Sequence, residues 1–320
     1  MLIARNTLLP AAIALAAFPL AAQTYSFEKL QLPKPMPNAT FGQGINNRGE
    51  VAGYFGFRGS KQVEFRGFRR YSDGQFEAPI IDPNDTEFAT YAQGINDSHV
   101  IVGYYMGSDL NFHGFVDTVG NFTTFDAQPG VSTQIYGIND LGQFVGAFGN
   151  FGTLATHGFV DTNGAVTQID VPESTATQVW AIDRAGALAG CTQQFPGWEN
   201  RAFLRDVGGN YVLFRPPQSA LSFCATGVSG ELGLIVGYYF EKAGSRVHGF
   251  IYNYRAAGAS PDAATGEVPV TVLDYPGAEL TYAYGINSKG QISGYAVTHR
   301  EPPFGFIATP TAAPAPAPGN

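Results

Sequence analysis

The chain has 320 residues and a formal net charge of −8 at pH 7, with 40 glycines and 13% aromatic residues. Only 14% of its residues are charged, against about 25% in an average soluble domain. The acidic balance argues against nucleic acid and anionic lipid surfaces as partners, and the excess of glycine and aromatic residues is typical of tight turns joining aromatic strands.

The first 22 residues predict a secretory signal peptide. Arg5 precedes an apolar stretch over residues 8–20, and small residues lead to an expected cleavage point after Ala22. A membrane span is the alternative, but it needs roughly 20 apolar residues, and Pro10 and Pro19 interrupt this shorter run. We therefore expect a secreted protein, extracellular or periplasmic, without a membrane span.

A degenerate block recurs six times along the rest of the chain and defines units one to six. Each copy has a small residue, an aliphatic residue and Asn, Asp or Ser, followed by a turn and an aliphatic run that ends in glycine. The aliphatic residues lie 43 to 58 residues apart, close to the roughly 40 to 50 residues of a propeller blade. The longest step contains a polar insertion at residues 255–267, which we interpret as a surface loop. The copies run from Gly44 to Gly53, Gly94 to Gly103, Gly137 to Gly146, Ala181 to Gly190, Gly227 to Gly237 and Gly285 to Gly294.

A second element follows each block, and in most units a turn with glycine and a further strand come after it. Each unit therefore predicts four short strands joined by hairpins, with no helical periodicity. Four strands per unit, repeated radially, predict an all-β fold, a six-bladed β-propeller of four-stranded antiparallel blades over residues 23–308. The second elements begin at Arg66, His113, His157, Arg201, His248 and Phe304.

The two ends of the repeat region predict how the ring closes. Unit six runs directly into residues 309–320, an Ala/Pro-rich segment that we expect to be a disordered tail, so this unit lacks a fourth strand. The segment from Tyr25 to Leu30 stands before the first block, where a fourth strand would lie. We expect this segment to pair with Phe304 to Ala308 and leave no long exposed edge.

The combination of GIN followed by Asn or Asp, a glycine turn, VGY and HGF resembles the bacterial extracellular HAF repeat family, over about Gln43 to Phe306. The resemblance implies an exported repeat protein of propeller type whose biochemical role is not established. Units four and five depart from the pattern at residues 181–183, 201–203 and 227–229, although their spacing is kept.

Histidine, arginine and aspartate recur at equivalent positions and predict contacts within each unit. A hairpin brings the start of the third strand beside the end of the fourth, where a cation and a carboxylate would fix the register. Equivalent histidines of different blades lie too far apart to share a zinc ion, and the Asn and Asp turns lack the ligand run of a calcium loop. We therefore predict no metal and no cofactor. The predicted pairs are His113 with Asp126, His157 with Asp170, His248 with Asp274, and Arg66 with Asp82.

The two cysteines take equivalent places in neighbouring units. Cys191 stands at the end of a second strand and Cys224 at the start of the next first strand, on the same face of the ring. In an exported protein this placement predicts a disulfide, and two buried thiols are the alternative.

Aromatic rings and amides should lie together where the first strands begin around the central channel. This mixture suits stacking and hydrogen bonding to a neutral polar ligand such as a sugar, whereas the alternative is that the rings only pack between blades. The residues predicted to bind the ligand are Tyr91, Gln93, Gln134, Tyr136, Gln178, Trp180, Tyr282 and Tyr284.

The sequence contains no GxSxG elbow, HExxH pair, phosphate-binding loop or dinucleotide fingerprint. We predict a non-enzymatic binding or surface-interaction module for carbohydrate or a cell-surface protein. The alternatives are an extracellular enzyme that acts on polysaccharide through loop acids such as Asp109, Glu199 and Glu241, and a scaffold without a small ligand. Carboxylates converging in one pocket would favour the enzyme.

Overall fold

The computed structural model of the chain is all-β. It describes residues 23–33, 39–59, 62–151, 155–194, 199–215, 220–241, 246–256 and 258–311. The predicted signal peptide and residues 312–320 of the predicted tail lie outside this description. Among the described residues, no helix is long and apolar enough to cross a membrane.

The strands form a β-propeller of four-stranded antiparallel sheets. After the first strand, β1 (Tyr25–Leu30), four separate sheets follow in chain order. The first contains β2 (Ala39–Ile45), β3 (Val51–Arg58), β4 (Val63–Arg70) and β5 (Phe76–Ile80), and the second β6 (Thr90–Ile95), β7 (Val100–Met106), β8 (Phe112–Thr118) and β9 (Asn121–Phe125). The third contains β10 (Ser132–Ile138), β11 (Phe144–Asn150), β12 (Ala155–Thr162) and β13 (Ala165–Ile169), and the fourth β14 (Ala176–Ile182), β15 (Leu188–Gln194), β16 (Glu199–Arg205) and β17 (Tyr211–Phe214).

The remaining strands form one eight-stranded sheet together with β1. They are β18 (Ala220–Ser229), β19 (Leu234–Glu241), β20 (Val247–Asn253), β21 (Thr271–Leu273), β22 (Leu280–Ile286), β23 (Ile292–Thr298) and β24 (Glu301–Pro310). Two antiparallel halves, β18–β21 and β22–β24 with β1, are joined by the parallel pair Val247 and Leu280. The prediction of six separate four-stranded sheets is therefore wrong in its count, because this pairing joins the strands of units five and six.

The N-terminal strand closes the ring as predicted. β1 pairs antiparallel with β24, from Tyr25 opposite Pro310 to Leu30 opposite Gly305. The β24 strand extends through Thr309 and Pro310, so it continues past the predicted end of the propeller at residue 308. Main-chain pairing of the two ends satisfies an edge that would otherwise be open.

A buried phenylalanine in each third strand explains the glycine that ends each block. Gly146 lies opposite Phe159, and a Cβ on this glycine would lie 2.8 Å from Cε1 of the ring and 2.0 Å from the main-chain oxygen of Gln134. Only glycine leaves room for that ring, which makes the motif a packing requirement. The equivalent phenylalanines, all fully buried, are Phe68, Phe115, Phe159, Phe203, Phe250 and Phe306.

The first strands approach one another closely around the channel. A Cβ on Gly137 would lie 2.7 Å from the main-chain oxygen of Trp180 in the neighbouring sheet. The small residue before each aliphatic position is therefore required by backbone contact between units. Unit four carries Ala181 at this position, so a Cβ is accommodated beside unit five.

Candidate functional site

The ring has two different faces. We call the face where the first strands begin the aromatic face, and the face that carries the turns after them, such as Asn46–Gly49, the turn face. The disulfide between Cys191 and Cys224 is confirmed, with an S–S distance of 2.08 Å and a Cα–Cα distance of 4.9 Å. It joins β15 to β18 and so ties unit four to unit five.

Aromatic side chains form a closed belt near the channel on the aromatic face. Each ring contacts the next with centroids 4.0 to 6.3 Å apart. The tightest contact stacks Tyr136 on Trp180, with centroids 4.0 Å apart and planes at 8°. In order around the belt, the rings are Phe41, Tyr54, Tyr91, Tyr104, Tyr136, Trp180, Tyr284 and Tyr295.

Two of the three amides predicted to meet a ligand accept hydrogen bonds from neighbouring rings. Gln93, Gln134 and Tyr136 are buried. The Tyr136 hydroxyl donates to Gln134 Oε1 at 2.6 Å, and Trp180 Nε1 donates to Gln178 Oε1 at 3.3 Å. Burial raises the pKa of Tyr136 well above its usual range.

Five of the residues predicted to bind the ligand keep partial exposure on the aromatic face. Burial, with the charge of Asp85 contributing, raises the pKa of Tyr91 to about 12. The channel cavity here has a volume of only about 80 Å³, well below the roughly 300 Å³ at which ligand sites begin. The structure therefore brings the predicted residues together but fills most of the space between them. The half-buried members are Tyr91, Gln178, Trp180, Tyr282 and Tyr284.

The three predicted histidine pairs lie in contact. Nδ1 of each histidine lies 2.7 to 3.1 Å from the carboxylate of the aspartate on the neighbouring strand. These contacts hold the third strand beside the end of the fourth strand. They join His113 to Asp126, His157 to Asp170, and His248 to Asp274.

The predicted pair of Arg66 and Asp82 does not form. Arg66 contacts Glu64 at 2.9 Å and Asp85 at 3.6 Å. A register irregularity after Gly67 in the β4–β5 pairing shifts the chain, and Asp82 instead accepts a hydrogen bond from the main-chain N–H of Asn84.

The loop acids proposed for an enzyme do not converge. Asp109 Oδ1 lies 3.1 Å from His113 Nε2, and Glu241 Oε1 lies 3.0 Å from His248 Nε2, so both acids complete contacts on separate units. The side chain of Glu199 lies outside the described part of the chain. Desolvation lowers the pKa of His113, but the hydrogen bonds that its ring donates to Asp109 and Asp126 outweigh it, and the net pKa is raised.

Asparagines on the turn face link successive units. Asn96 Oδ1 accepts from the main-chain N–H groups of Ser98 and Val100, both at 3.0 Å, which is the predicted turn role. Its Nδ2 donates to the main-chain oxygen of Asn139 in the next unit at 3.2 Å, which the sequence analysis missed. The sequence did contain a signal for these bridges: four of the six copies carry Asn at this position, and an Asn side chain has the N–H donor that Asp lacks. The bridges run from Asn287 to Asn46, Asn46 to Asn96, Asn96 to Asn139, and Asn139 to Asp183.

The asparagine bridges stop at units four and five, where Asp183 and Ser229 replace the amide. Other contacts hold these seams. The disulfide ties unit four to unit five, and Thr226 Oγ1 donates to the main-chain oxygen of Ala283 in unit six at 2.7 Å. Units four and five therefore depart from the repeat where a disulfide and a threonine hydrogen bond, instead of asparagine bridges, connect successive units.

A cavity of about 690 Å³ opens on the turn face. Its volume lies within the range of small-molecule sites, roughly 300 to 1,000 Å³. Among the described residues, no cluster of three or more His, Cys, Asp or Glu side chains could hold a metal ion. The aliphatic residues of the six blocks line it, as do Asp140, Asp183, Arg184, Asp206, Glu231, Tyr254 and Arg255.

The charged groups that are specific to units four and five concentrate on one side of this cavity. Asp183 is 8% exposed, and its Oδ1 accepts from the main-chain N–H groups of Ala185 at 2.9 Å and Ala187 at 2.8 Å. Within the described residues, no hydrogen bond reaches Asp183 Oδ2, which lies over Gly230 across the seam. Asp183 lines the cavity, so its second carboxylate oxygen is available to accept a hydrogen bond from a ligand.

No family model matches the chain, and no curated protein matches it. The resemblance to the HAF repeat family therefore stays a prediction.

Several solved structures are similar to the chain over most of its length. A gluconolactonase from Xanthomonas campestris has 15% identity and a TM-score of 0.50, covering 91% of this chain and 92% of that one. AofleA from Arthrobotrys oligospora has 11% identity and a TM-score of 0.49, covering 89% and 86%. An Aleuria aurantia lectin bound to α-methyl-L-fucoside has 13% identity and a TM-score of 0.47, covering 87% and 96%. At these identities the likeness to the gluconolactonase shows the β-propeller fold alone.

Proposed function

We propose that the protein is a secreted, non-enzymatic carbohydrate-binding module that holds a neutral saccharide in the turn-face cavity. In this proposal the eight-stranded sheet serves as two blades, and the ring has six. A bridge between Phe65 and Ala89, equivalent to the pair Val247 and Leu280, links the first two separate sheets without merging them. The two halves of the eight-stranded sheet are therefore joined by the same kind of main-chain contact that links units one and two.

The observation that carries the proposal is the chemistry of the cavity. Saccharides present apolar C–H faces and many hydroxyl groups, and the cavity offers aliphatic side chains beside carboxylates and guanidinium groups. Asp183 Oδ2 is an acceptor for a sugar hydroxyl, and Arg255 is a donor for sugar oxygens. Tyr254 is the one aromatic ring among the described residues of the lining, and it supplies a flat surface for stacking.

The enzyme alternative has less support from these residues. Hydrolysis of a glycosidic bond generally needs two carboxyl groups held about 5 to 10 Å apart across the bond. Asp109 and Glu241, two of the acids suggested for that role, are engaged with histidines on separate units. Several acids do line the cavity, so the test of function includes turnover.

The experiment is a thermal-shift and calorimetric screen of the mature protein against neutral oligosaccharides. A ligand that binds only the folded state must raise the melting temperature, and the rise grows with the ratio of ligand concentration to dissociation constant. We expect one class of saccharide to do so, with no release of reducing ends during prolonged incubation. The shift should be lost in Asp183→Asn and Tyr254→Ala, because both side chains line the cavity.

Trp180→Ala is the matched control, because Trp180 belongs to the belt on the aromatic face. We expect this variant to keep the saccharide response. If Trp180→Ala abolished the response and Asp183→Asn kept it, the aromatic face would be the site. A screen without any shift would contradict carbohydrate binding, and steady release of reducing ends would show an enzyme.

A further inference from the structure

The outer strands of unit four place two arginines opposite each other. In three other units the last pair of the third and fourth strands brings a histidine beside an aspartate. In unit four, Ala202 lies opposite Phe214, so the next residues, Arg201 and Arg215, are cross-strand neighbours. Like charges directly opposite one another in an antiparallel pair are destabilising.

Neither arginine forms an ion pair among the described residues, although Glu267 is paired with Arg215 in a parallel β-bridge and its Oε1 is buried without a hydrogen-bond partner. No ion pair of Arg201 or Arg215 is found there, and Arg215 Nε is buried without a hydrogen-bond partner. At the corresponding place in units one, two, three and five, six ion pairs join a histidine or an arginine to an acid. The exception is therefore specific to unit four.

The polar insertion of unit five covers these arginines. The Arg215 main-chain N–H donates to Gly266 O at 2.9 Å, and Val268 N–H donates to Arg215 O at 3.0 Å. These bonds hold the insertion beside the end of β17 and border an open cavity of about 310 Å³, lined by both arginines, Leu213, Phe214 and residues 261–266. The insertion thus crosses from unit five to roof a site on unit four.

The single carboxylate in this lining is already engaged. Asp262 Oδ1 accepts from the main-chain N–H groups of Ala264 at 3.0 Å and Thr265 at 2.8 Å. These main-chain bonds and the Thr265 hydroxyl lower the pKa of Asp262. Asp262 therefore stabilises the turn of the insertion, and it forms no ion pair with either arginine among the described residues.

We propose that the cavity between Arg201, Arg215 and the insertion binds an oxyanion, in the form of a carboxylate, sulfate or phosphate group on a small ligand. Two guanidinium groups present planar sets of donors that match the oxygens of these groups, and their charges attract an anion that would relieve the repulsion between them. The acidic balance of the whole chain disfavours an extended polyanion, so the ligand is a small molecule with one such group. This site is separate from the turn-face cavity and does not depend on the proposed function.

The test titrates the mature protein with inorganic sulfate, inorganic phosphate and glucuronate at constant ionic strength, with glucose as the uncharged control. We expect saturable binding of at least one oxyanion, and any binding of glucose, which would belong to the turn-face cavity, should be the same in the wild type and in Arg201→Gln. Arg201→Gln and Arg215→Gln should each weaken it roughly tenfold or more, because each removes charge-assisted hydrogen bonds. Arg300→Gln, which removes an exposed arginine that lines neither cavity, should leave the affinity unchanged.

Stability of the ligand-free protein gives a second readout with a definite sign. Removing one of two opposed charges relieves their repulsion, so Arg201→Gln should raise the melting temperature while it weakens the response to the oxyanion. A lower melting temperature in Arg201→Gln, or equal anion affinity in the variants and the wild type, would overturn the proposal. A response to sulfate and phosphate without glucuronate would assign the site to inorganic ions or their esters, and a response to glucuronate would extend it to carboxylates.

Discussion

Removing the disulfide should lower the free energy of unfolding by about 4 kcal/mol. The cysteines are 33 residues apart, and in the chain-entropy model a loop of this length restricts the unfolded chain by about 12 cal/mol/K. At 25 °C this corresponds to about 4 kcal/mol, and for a chain of this size to a melting temperature lower by about 6 °C. The perturbation is the double variant Cys191→Ala with Cys224→Ala.

The position of the disulfide gives a structural reason to expect the full effect. It joins units four and five, where Asp183 lacks the amide that bridges other successive units. Without the disulfide, the inner strands of this seam lose their covalent link and have no asparagine bridge to replace it. Adding Asp183→Asn to the double variant should recover about 1 kcal/mol, if the new amide reaches the main-chain oxygen of Ser229.

The assay is equilibrium urea denaturation of the chain from residue 23 onward, followed by tryptophan fluorescence and circular dichroism, with and without a thiol reductant. The reductant should destabilise the wild type to the level of the double variant and leave the double variant unchanged. A loss below about 1 kcal/mol in the double variant would refute the chain-entropy argument for this loop. A large effect of reductant on the variant would show that the measured loss has another origin.

Three further changes test the other links of the ring. Asn96→Asp keeps the turn acceptor but loses the donor to Asn139, and urea denaturation should show a loss of about 1 to 3 kcal/mol. His113→Ala should cost about 1 kcal/mol at about pH 5 and less at about pH 9, measured as unfolding free energies. The pKa of His113 is raised in the folded protein, so the stabilisation by His113 is fully present below the ordinary histidine pKa near 6.5 and is lost as pH rises through the raised pKa. The pKa of Asp109 is lowered, so the contact between the two residues persists until more acidic pH. Phe27→Ala on the closing strand should cost about 2 kcal/mol in the same denaturation assay, since this half-buried ring packs at the ring closure.

Matched controls separate these effects from general damage. Ser98→Ala, on the exposed part of the same turn as Asn96, should change stability by less than about 0.5 kcal/mol. Ser26→Ala on the exposed side of the closing strand should behave likewise. His113→Gln should remove most of the pH dependence, and an unchanged pH profile in that variant would contradict the assignment to this histidine. Equal losses at Ser26 and Phe27 would contradict a packing role for the ring.

Much of the fold could be predicted from the sequence because the repeat encodes it locally. The glycine at the end of each block and the phenylalanine of each third strand are needed in every unit, so their recurrence predicts the strands and their pairing. A spacing of 13 residues between His113 and Asp126, repeated at His157 and Asp170, predicts the hairpin contact. These features depend on neighbours within one unit, which is why a single copy of the pattern contains the information.

The location of the larger cavity could not be predicted in the same way. The aromatic face looked suitable because rings or amides recur at two positions of five of the six first strands, but Tyr136 and Trp180 stack on each other and close the space. The turn-face cavity gathers Asp183, Glu231 and Arg255, which belong to different turns of units four and five. No local pattern predicts which side chains from separate units converge.

The sequence by itself determined the repeat, the four-stranded units, the strand that closes the ring and the disulfide, because each follows from a periodicity or from a pair of equivalent positions. Only the tertiary structure decided that units five and six share one sheet, that the asparagines bridge successive units and that Arg201 faces Arg215 beneath an insertion from another unit. The physical reason is range. Which side chains of neighbouring units meet depends on the position of each unit relative to the next, and all the contacts of the ring together set that position.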